Sequence, residues 1–123
     1  MLKAILVVGS GSFVGGALRY LVSTAMKGIQ GGSFPWGTLL VNLLGCLLIG
    51  LLCGVFTRLS LAQSNWNLLL VTGLCGGFTT FSTFSNEGLA LLQGGNISAF
   101  LLYVLGSVAG GILLVALGYF LAR

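Results

Sequence analysis

Four long apolar runs, separated by short polar or glycine-rich interruptions, account for nearly the whole chain. The first extends from about Ala4 to Met26 and stops at Lys27, after which Gly28, Gly31, Gly32, Ser33 and Pro35 mark a turn. The second spans Trp36 to Thr57, with an indole at one edge and Arg58 at the other, the flanks that suit the two interfaces of a bilayer. A polar stretch from Ser60 to Asn67 leads into the third run, Trp66 to Gln93. Gly94, Gly95 and Asn96 then turn the chain into the fourth, Ser98 to Leu121. A hydrocarbon core of about 30 Å needs roughly 20 residues of helix. Each run meets that length, so the pattern predicts helices over about 4–26, 36–57, 66–93 and 98–121 in a single domain, 1–123. Lys3 precedes the first run as in a leader peptide, but the run is too long for one and contains Arg19, so it is read as a permanent segment.

Composition turns this pattern into a membrane assignment. Of 123 residues 57% are hydrophobic, with five basic side chains and one acid, far below the charged share of a soluble domain. The basic residues stand mostly at the edges of apolar runs, and the net charge of +4 forms no stripe, so no nucleic-acid partner is expected. Four crossings place Lys3, Arg58 and Arg123 on one side against Lys27 on the other, with Arg19 toward the Lys27 side. That bias is weak and compatible with insertion in both orientations. The three cysteines, Cys46, Cys53 and Cys75, lie inside apolar runs without histidine or CxxC spacing, and read as packing residues. With no histidine, a single carboxylate and no paired acid and base, the chain is not expected to be an enzyme.

Glycines recur in pairs four residues apart: Gly11 with Gly15, Gly50 with Gly54, Gly73 with Gly77, and Gly106 with Gly110. In lipid, such pairs let helix backbones approach closely. The third run departs from plain hydrophobicity over Gly73 to Glu87, GLCGGFTTFSTFSNE. Adjacent Gly76 and Gly77 have weak helix propensity, and the hydroxyls of Thr79 and Thr80 compete for backbone bonds, which predicts a helix break in mid-membrane. Irregular backbone at that depth needs protein or a water-filled cavity to satisfy it, so a break implies a site. Freed carbonyls would suit a cation, and the start of the following half-helix an anion.

Phe78, Phe81 and Phe84 recur every three residues beyond the glycines, placing aromatics along one helix face with Thr80, Ser82, Thr83 and Ser85 on adjoining faces. Hydroxyls and the positive edges of aromatic rings can both face an anion. Asn42, alone in its apolar surroundings, reads equally as glue between helices or as a donor lining a path. Arg19 and Glu87 are the charges set inside the runs. Either they pair, within or between subunits, or Arg19 reaches the interface and Glu87 lies near a helix end.

These residues resemble the Fluc family of fluoride channels, also called CrcB. The likeness spans the chain and rests on Gly15, Gly16, Ala17, Arg19 and Tyr20; on Gly37, Thr38, Asn42 and Gly45; and above all on Gly76 to Ser85 with Glu87. The resemblance implies a multi-pass protein of the cell (inner) membrane, an all-α subunit of four transmembrane helices with the third broken near its middle. It implies an antiparallel, dual-topology homodimer that exports fluoride passively through two pores and so lowers cytoplasmic fluoride. It further implies a structural sodium ion at the dimer centre, held by the backbone carbonyls of Gly76 and Thr79. Phe81 and Phe84 match the fluoride-coordinating aromatics and Asn42 the pore asparagine. Thr38, Ser82 and Thr83, with Tyr103 and Ser107 from the fourth run, complete the expected path, and Arg19 and Glu87 are expected to be structural charges. A narrow aromatic track would exclude chloride by size. Small multidrug transporters have a similar size, but need a carboxylate in the first helix, where this chain has none. A passive assembly module is the remaining alternative.

Overall fold

The computed structural model describes residues 1–29, 32 and 34–123, and among these every regular element is helical. Gly31 and Ser33 of the predicted turn lie outside the described residues. The first helix, α1 (Leu2–Ile29), is longer than expected at both ends, and α2 (Trp36–Arg58) follows. The third span is composite. It opens with one turn, α3 (Asn65–Asn67), widens into a π-helix, π1 (Leu68–Cys75), and tightens again at α4 (Gly76–Phe78). Thr79 and Thr80 then carry extended dihedrals before α5 (Phe81–Gln93), and α6 (Ile97–Ala122) ends the chain. Four stretches, Leu2–Gly28, Trp36–Arg58, Asn65–Gln93 and Ile97–Ala122, are long and apolar enough to cross a membrane.

Local chemistry sets the starts. Ser64 Oγ accepts from the Asn67 amide at 3.3 Å and Asn96 Oδ1 from the Ala99 amide at 3.2 Å, so each fills an orphan donor of a first turn. Asn96 is thus a cap, and Gly95 supplies the left-handed step before it with φ 76°. In the loop after α2, Ser60 takes φ 58°, an uncommon conformation for a side chain other than glycine.

The helices associate as two close pairs, α1 with the third span and α2 with α6. Glycine sets both distances. A Cβ on Gly11 or Gly15 would run into the carbonyls of Leu69 and Leu74, and one on Gly77 would lie 2.7 Å from the Ser12 carbonyl oxygen. In the other pair, a Cβ on Gly50 would strike the Val115 carbonyl, and one on Gly54 would lie 2.6 Å from the Tyr119 carbonyl oxygen. The fourth predicted pair is half right. Gly106 is exposed with open space around it, because it points away from α2; the contact is carried instead by Gly110, Gly111 and Gly118, the last 2.7 Å from the Leu47 carbonyl oxygen.

Large apolar side chains such as Ile5, Phe13, Leu102, Leu105 and Ile112 point outward, while Val41, Cys75 and Tyr103 are fully buried. That inversion is the expected signature of a chain solvated by lipid. All three cysteines are free.

Candidate functional site

The two extended residues withdraw backbone partners from their neighbours. Thr79 has φ −86° and ψ 157°, and Thr80 φ −147° and ψ 124°. In a continuous helix the amides of Thr80 and Thr83 would bond to the carbonyls of Gly76 and Thr79. Here the Thr80 amide instead donates to Asn42 Oδ1 at 2.8 Å, and the Thr83 amide to Thr80 Oγ1 at 3.2 Å. None of the described residues donates to the carbonyl of Gly76 or Thr79.

Asn42 closes the step from α2. Its Nδ2 donates to the Thr80 carbonyl at 3.0 Å while its Oδ1 accepts from the Thr80 amide, so one side chain satisfies both peptide groups of one residue. Of its two readings, the structure fulfils the interhelical one directly. The second Nδ2 proton has no acceptor among the described residues, which leaves a donor for a ligand. Gly45, one turn on, makes the approach possible: a Cβ there would collide with the Thr79 methyl.

An open groove of about 410 Å³ runs beside this joint, lined by Asn42, Thr79, Thr80, Phe81, Phe84 and Ser107, with Cys46 in its wall. Ser107 Oγ is buried and has no hydrogen-bond partner among the described residues. Thr80 and Ser82 hydroxyls lie 3.4 Å apart at the start of α5, whose first-turn amides present the positive end of the helix. Ser82 is exposed; Thr83 is half-buried and takes part through its amide.

Aromatic rings extend the groove toward Trp36. Phe81 and Phe84 have centroids 5.7 Å apart, Phe84 and Tyr103 5.0 Å, and Tyr103 and Phe34 5.6 Å in an edge-on arrangement. Phe78 is not on this face. The extended pair between Phe78 and Phe81 cancels the three-residue spacing, and Phe78 lines an apolar cavity with Leu18, Leu44 and Leu74 instead. Phe81 is 78% exposed although it lies inside a span.

A second polar cluster sits at the far end of this row. The Tyr103 hydroxyl donates to Glu87 Oε1 at 3.4 Å, with the Thr38 hydroxyl as its other polar neighbour. Thr38 is 5% exposed and Tyr103 fully buried. The structure therefore places Asn42, Ser107 and Phe81 in one group of expected path residues and Thr38 and Tyr103 in another, the second beside Glu87, which was expected as a structural charge, with the ring of Phe84 between them.

Arg19 and Glu87 do not pair within the chain. Arg19 Nε donates to the Gly77 carbonyl at 3.3 Å, and Glu87 is held by Tyr103. Sequence reasoning missed Ser12, whose hydroxyl donates to the Gly73 carbonyl at 3.3 Å, and Phe34, which extends the aromatic row. Ser12 lies seven residues before Arg19, on the same stripe of α1, and that spacing was its only signal.

Residues 6–119 match the family described as CrcB-like protein, Camphor Resistance (CrcB). A protein of Prosthecochloris aestuarii named fluoride-specific ion channel FluC is 47% identical over 121 residues, 98% of this chain and 94% of the relative. One of the same name from Phocaeicola vulgatus is 45% identical, covering 99% of this chain and all of the relative. A third, from Methylobacterium nodulans, is 51% identical over 87% of this chain and 86% of its own length.

Proposed function

The chain belongs to the CrcB-like family, and from that premise we propose that it is a fluoride-selective channel subunit conducting passively across the cell's inner membrane. It is a multi-pass membrane protein and not an enzyme. Relatives of near-equal length carry the name fluoride-specific ion channel, which supports fluoride as the ion conducted.

The observation that carries the reading is the joint of Asn42 with Thr80. The third span acts as a broken helix in which Asn42 satisfies both peptide groups of Thr80, the kind of protein partner that irregular backbone at membrane depth requires. Around it stand donors without full occupation: the second Asn42 proton, the Ser107 hydroxyl, the first-turn amides of α5 and the edges of Phe81 and Phe84. Fluoride is small and holds water strongly, so a passage must replace that water with several donors at close range. Separate, weak donors release the ion again, which a single strong site would not.

Two such subunits form the working unit, an antiparallel homodimer of dual topology with two pores. The exposed Phe81 ring, the open groove and the weak charge bias of the termini support this arrangement. The carbonyls of Gly76 and Thr79 fit a hard cation such as sodium, since oxygen donors are what such ions take and these two accept no hydrogen bond from the described residues. Bound there, the ion would supply a fixed positive charge joining the subunits; one chain offers two oxygens, and a symmetric copy would double them. Thr38, Tyr103 and Glu87 form one end of the path, where the acid is masked by the tyrosine hydroxyl.

The test is fluoride efflux from liposomes followed with a fluoride electrode, with chloride as the control ion. Rapid fluoride release without chloride release is expected. Equal release of both ions, or of neither, would overturn the function.

A further inference from the structure

The first helix lays one narrow face along the third span. At 3.6 residues per turn, Gly11, Gly15, Arg19 and Ser12 fall within about 100° of one another around α1. The glycines remove side chains where the backbones meet, against the carbonyls of Leu69 and Leu74. On the same face, Ser12 Oγ reaches the Gly73 carbonyl and Arg19 Nε the Gly77 carbonyl, each at 3.3 Å.

Those two carbonyls bracket the place where the third span changes its winding. Gly76 N–H still reaches back to the Val71 carbonyl, the five-residue bond of a π-helix, while α4 begins at that same residue. Three residues later the backbone is extended. The Gly77 carbonyl would in a regular helix take the Phe81 amide, which the extended step carries away from it. Its donor is Arg19 instead. A charged guanidinium on a carbonyl is among the stronger hydrogen bonds available.

We propose that Ser12 and Arg19 are positioning residues for the joint: Arg19 stands in for the backbone donor that the Gly77 carbonyl lacks, Ser12 adds a second donor to the Gly73 carbonyl, which already accepts from the Gly76 amide, and together they fix the direction of the Gly76 carbonyl lying between their acceptors. Neither touches the groove. Their part in ion binding rests on the reading of Gly76 and Thr79 as cation ligands; their part in holding the backbone does not.

The experiment uses the full chain in lipid nanodiscs and liposomes, as Ser12→Ala, Arg19→Gln and Arg19→Lys. Amide exchange over residues 76–81 is expected to quicken on the order of fivefold in Ser12→Ala and more in Arg19→Gln, the ratio one lost hydrogen bond supplies. Exchange in α6 should not change, and Arg19→Lys, which keeps a donor, should restore most of the protection. Unchanged exchange over 76–81 in both Ser12→Ala and Arg19→Gln overturns the proposal. In the second arm, the sodium concentration giving half-maximal fluoride flux is expected to rise severalfold in the same two variants with the plateau kept. A lowered plateau at an unmoved midpoint would show a merely structural role and overturn the positioning of an ion ligand. Sodium-independent flux in the unsubstituted protein would overturn the cation reading instead, and the exchange arm alone would then decide the positioning.

Discussion

Asn42→Ala strikes the joint at one atom group and leaves the rest of α2 intact. The amide makes two hydrogen bonds to Thr80, 3.0 and 2.8 Å long, and the alanine makes neither. Hydrogen bonds between helices in membranes average about 0.6 kcal/mol and reach about 1.7 kcal/mol. Two of them therefore hold the step with about 1–3 kcal/mol, a factor of roughly five to a hundred and fifty in favour of the clasped conformation at about 1.4 kcal/mol per tenfold. The vacated peptide groups have no second donor or acceptor on α2, so the loss falls on the conformation rather than being shared. The variant should stay folded, because the pairing of α2 with α6 rests on Gly50, Gly54 and Gly118, away from this point. Fluoride efflux per protein should fall at least tenfold, with the size-exclusion profile unchanged. Asn42→Asp separates holding from lining: it keeps an acceptor for the Thr80 amide, loses both protons and sets an acid beside the anion, so its flux should fall below that of the alanine. Wild-type efflux from Asn42→Ala would remove the clasp from the mechanism.

Phe81→Ile and Phe84→Ile should each cut fluoride efflux more than tenfold while the protein remains folded; Phe81 is mostly exposed, so its loss costs the subunit little packing, and normal flux in both would refute their role. Gly50→Ala should lower thermal stability in detergent by about 1–3 kcal/mol, the usual result of forcing a methyl into packed backbone, whereas Gly106→Ala, facing open space, should be neutral or raise it by up to about 1 kcal/mol from helix propensity. Ser60→Gly should stabilise by about 1 kcal/mol, since Ser60 occupies the left-handed region at φ 58°; an unfolding midpoint equal to or below wild type would contradict that. Tyr103→Phe keeps the ring contacts with Phe34 and Phe84 but strips Glu87 of its donor, and should reduce flux without unfolding the chain; unaltered flux would exclude the hydroxyl from the path.

The four crossings were readable because their cause is one-dimensional: length and apolarity decide whether a segment can span lipid. The glycine pairs of α1, α2 and the third span were readable for the same reason, since a missing Cβ is visible in the chain. Partners were not. Gly106 and Gly110 have the same spacing as the others, yet only the second meets α2, because the face a helix turns to its neighbour depends on its rotation about its own axis. Phe78 failed differently. Its spacing from Phe81 was counted as if helical, but the conformation of Thr79 and Thr80 between them redirects the ring, and a period cannot be read across residues that leave the helix. Asn42 stood out as an expensive polar group, yet its partner lies 38 residues away and nothing local names it. Ser12 had no chance of standing out: serine is ordinary in such a helix, and its use appears only with the Gly73 carbonyl beside it.

The charges of this site point to how an anion could cross without being trapped. Arg19 is the one cation set among the spans near the joint, and its Nε is spent on the Gly77 carbonyl rather than turned into the groove. The one acid is likewise occupied, by the Tyr103 hydroxyl. On the proposed path, what would remain to meet fluoride are partial charges: amide protons, hydroxyls and ring edges spread from Ser107 and Asn42 through Phe81 and Phe84 to Tyr103. A bare cation in so dry a groove would bind the ion with an energy that opposes its release, since Coulomb attraction grows as the dielectric falls. Distributed dipoles hold less at each point and leave no deep minimum, which is the condition for flow. Turning one of them into a full charge should therefore convert conduction into binding: Ser107→Lys is expected to lower fluoride efflux while slowing release of bound fluoride, and faster efflux from that variant would count against a path built on partial charges.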